Sequence, residues 1–161
     1  MEEIRIAAAQ FEVRNADKEY NLGVMSGLVE EAVKQGADII SFPEVCIPAY
    51  SFMRKSSREE IGELSESVPG GASVKRLMEI SGDFRIPVLA GLIEREGDQY
   101  FNTYVCVDGD QLVAKFRKLH AFINPHISCG NEYVTFQLRG CTCRILICYD
   151  NNLACNVQAV A

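Results

Sequence analysis

Three short stretches place reactive side chains at the ends of apolar runs. In RILICYDNN (144–152) an aliphatic run ends at Cys148 and turns at once into Tyr149, Asp150 and two amides. In DIISFPE (38–44) a similar run ends in Pro43 and Glu44, and in KFRKLHAF (115–122) Lys115 and Arg117 flank Phe116 before Lys118. A thiol between a strand end and a helix start meets backbone N–H groups and the positive end of the helix dipole. Both favour the thiolate, and the same groups can hold an oxyanion. A carboxylate kept partly out of water by a Pro-stiffened turn suits general-base work. An ammonium aimed at a developing oxyanion supplies fixed charge where water is excluded. Each residue also has a plainer reading. Cys148 is one more buried thiol, Glu44 a surface acid at a strand end, and Lys118 a solvated edge lysine that discourages aggregation. Taken singly, they leave both readings open.

The elements that must position these residues alternate between strand and helix. IRIAAAQF (4–11) reads as an apolar opening strand. NLGVMSGLVEEAVKQGA (21–37) carries Leu22, Met25, Leu28, Val29, Ala32 and Val33 at helical spacing, with Asp17 as N-cap and Gly36 at the C-terminal end. DIISFPE is a second strand, stopped by Pro43. Residues 45–71 are irregular, with a short helix near SSREEIGEL and a turn at PGG (69–71). ASVKRLMEISGDF (72–84) is an amphipathic helix and PVLAGLIE (87–94) a strand. YFNTYVCVDGDQLVAKFRK reads as a hairpin, with strands over 101–107 and 111–116 and a turn at Asp108-Gly109. After a long loop come YVTFQL, a turn at Arg139-Gly140, a last strand CRILIC, and the first turns of a helix in ACNVQAVA. The expectation is an α/β fold with a mixed sheet and helices on at least one face. Glu44, Lys118 and Cys148 then share one rim of that sheet.

Composition narrows the function. The chain has 161 residues, one domain's worth, and 48% apolar and 24% charged residues are ordinary for a globular protein. With 16 basic against 22 acidic residues and a net charge of −6, no basic run forms, which argues against a nucleic-acid or anionic-membrane surface. MEEIRIAAAQ has acids where a signal peptide carries its positive region, and no window approaches a membrane span, so the expected location is cytoplasmic. Seven cysteines without an export signal argue for free thiols. Cys141-x-Cys143 is too tight for a usual zinc pair, and His120 and His126 lie far from it, so no metal site is expected.

FPE (42–44), FRKLH (116–120) and ICYDNN (147–152) resemble, in order and in rough spacing, the three signature blocks of the nitrilase superfamily, the carbon–nitrogen hydrolases. RIAAAQF resembles the family's first strand, Tyr50 stands where members often have a pocket tyrosine, and Tyr100-Phe101-Asn102-Thr103 resembles a further block. The resemblance implies acyl transfer from the carbon of a small-molecule amide, N-carbamoyl amine or nitrile, with amides favoured. Cys148 would be the nucleophile, Glu44 the base, and Lys118 with the N–H of Tyr149 the oxyanion donors. It requires no metal or cofactor, and implies a homo-oligomer.

Two features depart from the family pattern. Many members carry a second glutamate a few residues after the lysine, whereas LHAFINPHISCGNE has no acid before Glu132. Glu132 matches a following turn instead, which leaves Asn124, His126 or no residue in that role. Members also continue for roughly a hundred residues beyond the nucleophile to complete a four-layer α-β-β-α sandwich. The expectation is therefore a single domain over 1–161, resembling the first part of that sandwich and lacking its C-terminal part. Two functions follow: a carbon–nitrogen hydrolase, or an inactive half-domain that acts, if at all, through self-association.

Overall fold

The computed structural model describes residues 3–161; Met1 and Glu2, part of the acidic N-terminal stretch, lie outside the described residues. A mixed six-stranded sheet forms the centre. β1 (Ile6–Ala8), β2 (Ile39–Ser41) and β3 (Val88–Glu96) run parallel to one another. β3, β4 (Gln99–Asp108) and β5 (Gln111–Arg117) then continue antiparallel, and the two-residue β6 (Ile127–Ser128) pairs with β4. A separate hairpin, β7 (Thr135–Leu138) with β8 (Cys141–Arg144), lies off this sheet. The mixed α/β architecture is the one its residues call for. β1 to β3 are linked by helical crossovers, as parallel strands must be, while β3 to β5 are joined by tight turns.

The helices follow their sequence signals. α1 (Lys18–Lys34) starts at Asp17, whose side chain accepts a bond from the Tyr20 N–H, and Gly36 follows its end in the left-handed region at φ 78°. α3 (Arg58–Leu64) opens with a Ser57–Glu60 capping box, and α4 spans Ala72–Phe84, the range its periodicity predicts. The one-turn helix α2 (Tyr50–Met53) is too short to leave a periodic signal.

Three layers result. Met25 and Val29 of α1, with Val74, Leu77 and Ile80 of α4, pack on Ile40, Val88, Ala90, Val105 and Val107 from one face of the sheet. On the other face Tyr104, Cys106, Ala114 and Phe116 meet Phe136, Leu138, Ile145 and Ile147. Successive residues of β4 therefore point into two different cores, which explains why nearly the whole strand is buried. Each large side chain so enclosed contributes roughly 2 kcal/mol.

Several strands are shorter than their apolar runs. The run at 4–11 is a strand only over Ile6–Ala8, and CRILIC is a strand only as far as Arg144. Ile145 and Ile147 are buried by side-chain packing, without a ladder among the described residues. Burial alone does not make a strand; a hydrogen-bonding neighbour does. A five-residue 3-10 turn (Cys148–Asn152) and α5 (Ala154–Val160) complete the chain.

Candidate active site

The segment after β2 leaves the sheet at Pro43 and folds back over β3. It can approach because residue 91 is glycine: a Cβ there would stand 2.2 Å from the Val45 nitrogen. The Gly91 carbonyl accepts from the Ile47 N–H at 3.2 Å and holds the segment down. Val45 adopts φ 47°, a costly conformation for a β-branched residue, and its side chain is fully buried. This strained, pinned turn sets the position of Glu44.

Lys118 is brought to the same point from the end of β5. Its backbone N–H donates to the Asn102 carbonyl at 2.9 Å and its own carbonyl accepts from Gly130 at 2.8 Å. Here too a glycine permits close contact, since a Cβ at Gly130 would lie 2.3 Å from the Arg117 oxygen. Lys118 Nζ meets Glu44 Oε1 at 2.6 Å, with the lysine side chain 2% exposed. The three cations of KFRK thus part company. Lys115 and Arg117 pair with the buried Glu94, while Lys118 turns to Glu44. None is a freely solvated edge charge.

Glu44 and Cys148 line one cleft of about 410 Å³, together with Ser41, Tyr104, Ile147 and Asn151. Cys148 is exposed and sits at φ 48° at the head of the 3-10 turn, as an elbow between the extended segment and α5. A positive φ is uncommon for a residue other than glycine. The other thiols are sorted by their surroundings. Cys46 and Cys106 are buried, and burial pushes both up to about 12. Cys129 and Cys155 are exposed but do not line the cleft.

Tyr50 belongs to the same group. Burial, then the negative charge of Glu44, pushes its phenol up to about 12. Its ring centroid is 5.8 Å from Lys118 Nζ, and Phe122 stands at the same distance. Tyr149 packs its ring edge-on against Phe122 at 5.1 Å and against His120 at 6.4 Å. An aromatic wall therefore rises beside the acid, the amine and the thiol.

Two residues to which the sequence assigns no role of their own hold this arrangement, although both fall within the blocks quoted above. The buried Asp150 accepts from the backbone N–H groups of Leu119 and His120, from Ile147 and from the His120 ring. It thereby ties the Cys148 turn to the chain just after Lys118. Asn102 donates from Nδ2 to Glu44 Oε1 at 2.6 Å. Asn102 belongs to the Tyr100-Phe101-Asn102-Thr103 block and is a polar residue amid apolar alternation in β4. Asp150, two residues after Cys148, reads as part of a polar turn.

Of the residues considered for the loop after Lys118, Asn124 is committed elsewhere. Its amide donates to the carbonyls of Met53 and Ser56 and accepts from the His126 N–H. Glu132 lines a separate small cavity with Lys115 and Arg117. Among the described residues no group of three or more His, Cys, Asp or Glu side chains could hold a metal ion, and no helix is long and apolar enough to cross a membrane.

Comparison with known proteins supplies the context. A family model described as carbon-nitrogen hydrolase matches residues 5–160. A nitrilase of Pyrococcus abyssi is 28% identical over 150 residues, covering 91% of this chain and 56% of the relative. The omega-amidase NIT2 of Bos taurus is 30% identical over 167 residues, covering 96% and 58%. The chain thus spans little more than half the length of these relatives. The fold superimposes on a crystal structure of an amidase from Nesterenkonia sp. with TM-score 0.81 at 23% identity, over 98% of this chain and 60% of that one.

Proposed function

The chain belongs to the carbon-nitrogen hydrolase family, and from that premise we propose that it hydrolyses a non-peptide carbon–nitrogen bond of a small amide-type molecule through a cysteine thioester. The observation that carries this reading is the buried contact of Lys118 Nζ with Glu44 Oε1 at 2.6 Å, beside a cleft that Glu44 shares with the exposed Cys148.

In the first half-reaction Glu44 takes the Cys148 proton as Sγ attacks the acyl carbon. The carbonyl π electrons move to oxygen, where the Lys118 ammonium and the Tyr149 N–H stabilise the charge. Collapse breaks the carbon–nitrogen bond, and the nitrogen leaves with the proton that Glu44 took from the thiol. In the second half-reaction Glu44 deprotonates water, which attacks the thioester. The carbonyl re-forms, the acid departs, and Cys148 recovers the proton. Tyr50 and Phe122 supply a wall against which an apolar part of the substrate packs. An amide is favoured because relatives include omega-amidases and because an amide's leaving amine needs the proton that Glu44 holds.

A second reading keeps the fingerprint but assigns the chain a role in self-association. Ile6, on the edge strand β1, is 64% exposed, and Val157 on α5 is 44% exposed. One experiment separates the two. The purified chain is supplied with short aliphatic amides, and acid release and intact mass are followed. Catalysis predicts an acyl adduct on Cys148 and turnover that disappears in Cys148→Ala. No adduct and no acid release from the unaltered chain would overturn the hydrolase reading, and turnover unchanged by Cys148→Ala would overturn the role of Cys148.

A further inference from the structure

Resting on the reading of Glu44 as the base, we propose that Asn102 is the positioning residue that decides which carboxylate oxygen of Glu44 takes the proton from Cys148. Lys118 Nζ and Asn102 Nδ2 both reach Glu44, each at 2.6 Å, and both meet the same oxygen, Oε1. Two donors on one oxygen fix the plane of the carboxylate and occupy that oxygen. Oε2 is left as the one that exchanges protons with the thiol and the leaving amine. Lysine alone could not do this, because an ammonium on a flexible stem is a point charge with no preferred plane. A planar amide on a strand supplies the missing direction.

The surroundings of Asn102 fit that role. It sits within β4, paired with Ile93 of β3, and is 1% exposed. Its carbonyl accepts from the Lys118 N–H, so one residue fixes the backbone of one partner and the side chain of the other. The neighbouring strand residues are also committed: Thr103 donates to Glu94 and Tyr104 to the Phe42 carbonyl. Most telling is the other end of the amide. Asn102 Oδ1 is buried without a hydrogen-bond partner among the described residues. Such an orphan is destabilising, and a leucine of similar size would avoid it. Turning the amide over would set Oδ1 against the Glu44 carboxylate, so the amide orientation is dictated by Glu44. A residue kept at a cost to stability, and aimed at the base, is serving the base.

The test is a double-mutant cycle read on the thiols themselves. Rates of alkylation by iodoacetamide are mapped to each cysteine in the unaltered chain, Asn102→Ala, Glu44→Gln and the double variant. The buried Cys46 and Cys106 report folding, because they react only if the chain opens. Asn102→Ala is expected to slow Cys148 about tenfold while Cys46 and Cys106 stay protected, and to add nothing in the Glu44→Gln background. Slowing of Cys148 that is equally large without the Glu44 carboxylate would show that Asn102 does not act through it, and overturns the proposal. So does an unchanged rate in Asn102→Ala where Glu44→Gln is slow, which leaves Glu44 as the base. If Glu44→Gln itself leaves Cys148 unaffected, the reading of the base fails and this inference with it. Should Asn102→Ala expose Cys46 and Cys106, Asn102→Leu, which fills the same space, takes its place in the cycle.

Discussion

Lys118 Nζ lies 2.6 Å from Glu44 Oε1, and the two side chains are only 2% and 14% exposed. A pair so withdrawn from water is held by mutual compensation, and removing one partner strands the other. Lys118→Met should lower stability by roughly 3 kcal/mol, read as a drop in the urea midpoint. Amide turnover should fall by more than about a hundredfold, because the oxyanion loses its charged donor. Turnover retained in Lys118→Met would remove the lysine from the mechanism.

Asp150 works at the junction between the Cys148 turn and the chain just after Lys118. Its carboxylate gathers three backbone N–H groups, from Ile147, Leu119 and His120, as well as the His120 ring, while Asn156 of α5 donates to its carbonyl at 3.0 Å. Asp150→Ala leaves those buried donors without an acceptor, a loss of about 2–4 kcal/mol. Amide hydrogen exchange should speed up at Leu119, His120 and Ile147 while β3 and β4 stay protected. Uniform acceleration across the sheet would mean that Asp150 serves the whole fold and not this junction.

These two residues show how far sequence reaches. Glu44, Lys118 and Cys148 each stand at the end of an apolar run, a local pattern, and the structure brings Glu44 to Lys118 and to the cleft of Cys148. α4 was legible because thirteen residues repeat one period, and α1 because Asp17 and Gly36 mark its ends. What stayed hidden depends on partners distant in sequence. Asn102 meets Glu44 across 58 positions, and Lys115 and Arg117 find Glu94 across 21 and 23. The strands Ile6–Ala8 and Cys141–Arg144 end short of their apolar runs, since apolar character reports burial and not the presence of a neighbouring strand.

Glu94 gives the fold a pH dependence of predictable sign. Burial works to raise its carboxyl, but hydrogen bonds from Arg117, Lys115 and Thr103 outweigh it and hold the group below the ordinary 4.5. Its folded value being depressed, the unfolded chain takes up the proton first as pH falls. The stabilisation is therefore fully present above the ordinary carboxylate value and is lost as pH falls through the folded one. Urea midpoints measured from neutral pH to about pH 3 should decline at the acid end, and Glu94→Gln should be less stable at neutral pH with a shallower decline. Parallel curves for the two proteins would contradict this assignment.

Gly91 offers the sharpest test of how Glu44 is positioned. The clash a Cβ would make is with backbone, 2.2 Å from the Val45 nitrogen and 3.0 Å from the Glu44 carbonyl carbon, so no side-chain rotation relieves it. Val45 already holds φ 47° and cannot absorb further distortion cheaply. Gly91→Ala must therefore lift residues 44–47 from β3 and break the Ile47 N–H bond to the residue 91 carbonyl. Cys46 rides on that segment, with its thiol 3.8 Å from the same carbonyl oxygen, whereas Cys106 lies in the core on the opposite face of the sheet. Gly91→Ala should thus make Cys46 reactive to iodoacetamide while Cys106 stays protected, and should abolish amide turnover although most of the sheet persists. If both cysteines open together, the glycine supports the sheet as a whole. If neither opens and turnover survives, the close approach at residue 91 is not what places Glu44.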